Sequence, residues 1–137
     1  MSTPDFNRYT LALFKDGREL ESSGESGLRP LVHLLKAHMG AVTGCELHDK
    51  VVGLASAKLI AASGIVVEVK AGTMSKEAIS FLGGTDIEFN FLRVVDMILN
   101  RDGSAQCPME RKAKEIRGPE EFLEHMMALT SPEGRKP

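Results

Sequence analysis

Tryptophan is absent from this sequence, tyrosine occurs once, and the only cysteines are Cys45 and Cys107. Two thiols are too few for the disulfide framework of a small secreted domain, so a reducing, cytoplasmic setting is expected. No apolar run approaches the roughly 20 residues that a helix needs to cross a bilayer. Residues 1–7 have neither the basic start nor the apolar stretch of a secretory leader. No membrane association is expected. Neither charge is in excess: 17 Lys and Arg face 19 Asp and Glu, a net charge of −2. That balance gives no general attraction to nucleic acid, and no nucleic-acid partner is expected.

What is present belongs to an ordinary globular chain. With 137 residues and 42% hydrophobic content, one domain can bury a core without staples. No repeat or linker divides it. Residues 1–8 are expected as a flexible arm, 9–130 as a single domain and 131–137 as a flexible tail.

Bulky apolar residues from Tyr9 to Phe14 predict a strand. Asp16-Gly17 then turns the chain, since a type I′ hairpin needs positive φ at both central residues, and Arg18 to Ser22 returns as an edge strand. A helix is predicted from about Leu28 to Gly40, with Leu31, Leu34, Leu35 and His38 on one face and His33 at its margin. A second helix is predicted from Asp49 to Ala62. Its apolar residues lie nearly all round, which suits a helix between layers. Ile65 to Val69 reads as an interior parallel strand. Ala71 to Ser75 reads as a loop leading into a helix over Lys76–Leu82, and Asp86 to Phe91 as a strand with one buried face. Strand, helix and strand at this spacing make a parallel crossover. Val94 to Leu99 fits helix or strand equally. Asn100 to Ser104 is a turn, Pro108 opens a short helix, and Gly118-Pro119 opens the last one.

This order of elements resembles the cytidine-deaminase-like fold. Three stretches, His48-Asp49-Lys50-Val51-Val52-Gly53, Asn100-Arg101-Asp102-Gly103 and Cys107-Pro108-Met109-Glu110, resemble an uncharacterised prokaryotic family of unknown function with that fold. The resemblance implies a three-layer α/β domain with a mixed sheet, an N-terminal hairpin and helices on both faces. Zinc deaminases carry an H-x-E helix start and a P-C-x-x-C helix start. This sequence has Asp49-Lys50-Val51 and Gly72-Thr73-Met74-Ser75 at the corresponding places, and no H-x-E, C-x-E or C-x-x-C anywhere. Zinc-dependent deamination is therefore not expected, and no metal or cofactor is.

The candidate residues each have a plain reading beside a functional one. Asp49 fits an N-cap of the second helix, or a general base at a pocket mouth. Lys50 fits a solvated lysine, or a contact for an anionic ligand. Gly72, Thr73 and Ser75 fit capping, or an anion cradle at a helix N-terminus. Cys107 fits a small core residue, or a thiolate favoured by a helix start and by Arg101, with Glu110 as its acid/base partner. Asn100 belongs to turn chemistry, whereas Arg101 is not demanded by the turn and suits an anion contact. Cys45 and His48 form at most half of a metal site.

Two functions follow. The first is a pocket for a nucleotide-like or other anionic small molecule, with metal-free catalysis by Asp49, Lys50 and Cys107 if the protein is an enzyme. The second is a non-catalytic binding or assembly module whose motifs only cap helices and brace turns. A homodimer is compatible with either.

Overall fold

The structure, a computed structural model, describes residues 3–100 and 102–130. Arg101 and the expected tail, 131–137, lie outside the described residues. The hairpin forms as predicted. Strands β1 (Leu11–Lys15) and β2 (Arg18–Ser23) pair antiparallel around Asp16 and Gly17, with φ of 52° and 79°, the double positive φ of the expected turn.

Helix α1 (Leu28–His38) buries Leu31, Val32, Leu34 and Leu35. His33 is exposed, and His38 reaches Glu21 of β2 at 2.9 Å. Beyond it lies the first correction. Cys45–Val52 is a strand, β3, and helix α2 runs only over Leu54–Ser63. Gly53 marks the boundary, and the β-branched pair Val51-Val52 belongs to the strand, where such residues pack well. Asp49 therefore caps no helix.

Strand β4 (Val66–Ser75) is twice the predicted length. Helix α3 (Lys76–Gly83) and strand β5 (Glu88–Val95) complete the parallel crossover. The ladder to β3 on one side and β5 on the other keeps Ala71 to Thr73 extended, so the expected loop is strand. Val94 and Val95 extend β5. Helices α4 (Pro108–Glu115) and α5 (Pro119–Thr130) close the domain.

The sheet has the order β2-β1-β3-β4-β5, mixed, with the hairpin at one edge and β4 inside. Helix α2 touches each of the other four helices. Their apolar residues make one core with Leu11, Leu13, Leu47 and Val69. The helices thus gather on one face rather than on both. Helix α2 lies between the sheet and α5, which explains its all-round burial. The opposite face holds Ala12, Phe14 and His48, covered by Tyr9 and Phe6. Phe6 meets Tyr9 edge-on at 6.0 Å, so part of the expected arm is packed against the sheet.

Candidate functional site

Helix α2 begins without a side-chain cap of its own, which leaves its first N–H groups in need of acceptors. Glu110 supplies them from α4. One carboxylate oxygen accepts from Leu54 N at 2.8 Å, the other from Ala55 N at 2.7 Å. The side chain is 3% exposed, and burial raises its pKa while the two backbone bonds oppose the rise. Gly53 makes this approach possible, since a Cβ there would lie 2.7 Å from Glu110 Cδ and 2.6 Å from Ile98 Cγ1. In the other direction, buried Lys58 of α2 donates to the carbonyls of Ala113, Ile116 (3.0 Å) and Arg117 (3.2 Å). Ala113 lies in the last turn of α4, whose carbonyls lack partners within the helix, and Ile116 and Arg117 follow directly after it. Each helix caps the other.

This junction floors a cavity of about 500 Å³ between β1, β3, the start of α1 and the stretches 98–100 and 107–110. Asp49, Lys50, Asn100, Cys107 and Glu110 all line it. Asp49 stands on β3 opposite Leu11. Burial pushes its carboxyl up to about 7, against a bond from the Val51 N–H. Lys50 is exposed, and its backbone N–H donates to Thr10 O at 2.9 Å. Cys107 precedes α4, half-buried, with its carbonyl accepting from Glu110 N and Arg111 N and its thiol capping nothing. Apolar walls come from Leu11, Leu28, Leu31, Ile98 and Met109.

Other expected residues take different places. Gly72 and Thr73 lie in β4 and do not line the cavity. Gly72 gives room to the Lys50 carbonyl, 2.8 Å from where a Cβ would stand, and to the Phe6 ring. Ser75 caps α3, accepting from Ala78 N at 3.1 Å. The expected anion cradle is therefore a strand followed by an ordinary cap. Both Glu110 oxygens are turned to the start of α2, and capping that helix is the role the geometry shows for this side chain. The Asn100 turn is local: Asn100 and Asp102 both accept from Ser104 N, at 3.1 and 2.9 Å.

Cys45 and His48 leave β3 on opposite faces. Cys45 sits in the helix-side core, where burial raises its thiol pKa. His48 is fully buried on the other side, against Phe14. Its Nδ1 meets Tyr9 Oη at 2.6 Å, and its Nε2 meets the Glu46 carboxylate, which also takes Lys70 at 3.2 Å. Burial lowers the His48 pKa, with Glu46 acting against it. Among the described residues, no three His, Cys, Asp or Glu side chains are grouped to hold a metal ion.

The sequence reading missed Ser56, Lys58 and the role of His48. A glycine directly after Val51-Val52 was the available signal for a strand end there, and hence for Ser56 in the first turn of α2.

Among the described residues no helix is long and apolar enough to cross a membrane. The model of a family described as "TM1506: Domain of unknown function (DUF1893)" matches residues 6–128. The crystal structure of a DUF1893 family protein, TM1506 from Thermotoga maritima, is similar at 27% identity and a TM-score of 0.79. The match covers 89% of this chain and 81% of that one. No curated protein matches.

Proposed function

The chain belongs to the DUF1893 family, and for it we propose a small-molecule pocket of deaminase-like shape in which Asp49 is the proton-handling group. One observation carries this reading. Residues from β3, the 100-turn and α4, distant in sequence, converge on a single cavity, and a carboxyl there sits near neutrality. A concave, largely apolar site with a few convergent polar groups and a perturbed acid is what a ligand site requires. A group with a pKa near 7 can both take and give a proton at working pH.

The chemistry is metal-free. The lining has one thiol and no imidazole, and among the described residues no three His, Cys, Asp or Glu side chains are grouped to hold a metal ion. Among the described residues the lining sets Glu25, Asp49 and Glu110 against one cation, Lys50, which favours a ligand that donates hydrogen bonds to Asp49. A nucleoside-like body fits among the leucines, with any anionic end toward Lys50 at the rim. A thermal-shift panel of nucleosides and their phosphates tests this, because a ligand of the folded state raises the midpoint. A rise of several degrees that Asp49→Asn abolishes is the expected result. No response to any compound would favour the second reading, a non-catalytic module, which the capping role of Glu110 already suits.

A further inference from the structure

Three polar side chains of the cavity lining are already engaged, and Glu25, Ser26 and Lys50 are exposed to solvent. Both Glu110 oxygens accept from α2, the Thr10 hydroxyl donates to the carbonyls of Ser23 and Glu25, and Asn100 is held by Ser104. Ser56 differs. It lines the cavity from the first turn of α2, is 6% exposed, and its hydroxyl has no hydrogen-bond partner among the described residues. No fully inaccessible side-chain oxygen or nitrogen lacks a partner among those residues, so the Ser56 oxygen keeps its small accessible surface toward the cavity. The first backbone N–H groups of α2 are already capped by Glu110, so the helix start does not need this hydroxyl. Buried polar groups are normally paired, and an exception calls for a missing partner.

We propose that Ser56 is a ligand-contacting residue, and that Ser56 with Asp49 recognises an uncharged amide edge on a flat apolar body. This rests on the pocket reading above. The hydroxyl donates to the C=O of such an edge and the Asp49 carboxylate accepts from its N–H, while Leu11, Leu31 and Ile98 cover the apolar part. A carboxylate ligand would face Asp49 with like charge. An ammonium ligand would leave the Ser56 proton without an acceptor.

Benzamide, benzoate and benzylamine share one ring and differ only in this group, so they serve as probes. Binding is followed by amide chemical shifts of the ¹⁵N-labelled protein, with Thr10, Val51 and Ser56 reporting on the cavity. Benzamide is expected to bind more tightly than the other two, and Ser56→Ala to weaken it roughly tenfold, the effect of about one lost hydrogen bond to a polar ligand. Ser56→Thr, which keeps the hydroxyl, is expected to restore most of the affinity. Ser56→Ala should also raise the melting midpoint of the free protein by roughly 2–3 °C, since it removes an unpaired, nearly buried hydroxyl. A structural role for Ser56 would lower that midpoint, and would overturn the proposal. So would tighter binding of benzoate or benzylamine, or benzamide binding indifferent to Ser56→Ala, and in these cases the pocket itself still stands. Absence of cavity shifts with all three probes overturns the pocket and the Ser56 role together.

Discussion

Gly53 and Glu110 share one small volume: the carboxylate of the second fills the space that a side chain on the first would need. Gly53→Ala should therefore expel the cap as well as crowd Ile98. The expected cost is about 2–4 kcal/mol, from overpacking plus two backbone donors left unpaired. Glu110→Ala, which loses the cap without crowding, should cost about 1–3 kcal/mol. Urea unfolding of both variants checks the order. Equal stability of Gly53→Ala and wild type would refute the shared volume.

Lys58 is the other half of the junction. Lys58→Met keeps the length of the stem but leaves the carbonyls of Ala113, Ile116 and Arg117 without their donor. A loss of about 1–3 kcal/mol is expected. Hydrogen exchange should quicken first in α4, because an end that loses its partners opens before the rest.

Asp49 makes stability depend on pH in a definite sense. Its folded pKa, about 7, lies above the ordinary 3.8. Its contribution is thus fully present below pH 3.8 and is lost as the pH rises through 7. Asp49→Asn stays neutral throughout. The variant's advantage should be smallest near pH 4 and reach on the order of 2–4 kcal/mol by pH 8. A difference that does not change with pH would mean that the carboxyl is solvated.

His48, the preceding residue, acts the opposite way. Its pKa is lowered on folding from 6.5, so its contribution is present above pH 6.5 and is lost as the pH falls through the folded value. His48→Gln should flatten that acid limb. Tyr9→Phe removes the donor at Nδ1 and should cost about 1–3 kcal/mol at pH 8.

The two thiols should separate cleanly on alkylation. Cys107 is half-buried at the cavity, whereas Cys45 lies in the core. Cys107 is expected to react in the folded protein and Cys45 only through opening, slower by on the order of a hundredfold or more. Peptide mass mapping over time distinguishes them. Faster modification of Cys45 would remove Cys107 from any chemical role.

Much of this fold is legible where local chemistry leaves no choice, as in Asp16-Gly17, Pro108 and the β-branched run of β4. It is not legible around residues 45–53. There the apolar end of a strand, Val51-Val52, abuts an apolar helix through one glycine, and their junction is decided by Glu110, 57 positions beyond Gly53. Ala71 to Ser75 misleads for a related reason. Glycine and hydroxyls suggest a loop, but neighbouring strands on both sides supply a ladder that local preference does not reveal. Asp49 is singled out by its place at an expected helix start, a position at a helix end that it does not have. Ser56 is hidden, because burial and the absence of a partner are properties of the assembled molecule only.

The mutual capping of α2 and α4 also sets an order of events during synthesis. As the chain leaves the ribosome from its N-terminus, α2 emerges whole while Glu110 and the carbonyls of residues 113–117 have yet to be made. Until then its first N–H groups have only water, and its outer face has no α5 to cover it. A nascent chain halted before residue 108 thus presents an apolar helix to solvent or to a chaperone, and its sheet cannot complete a core. The cap and the cover of α2 arrive only with residues 110–130.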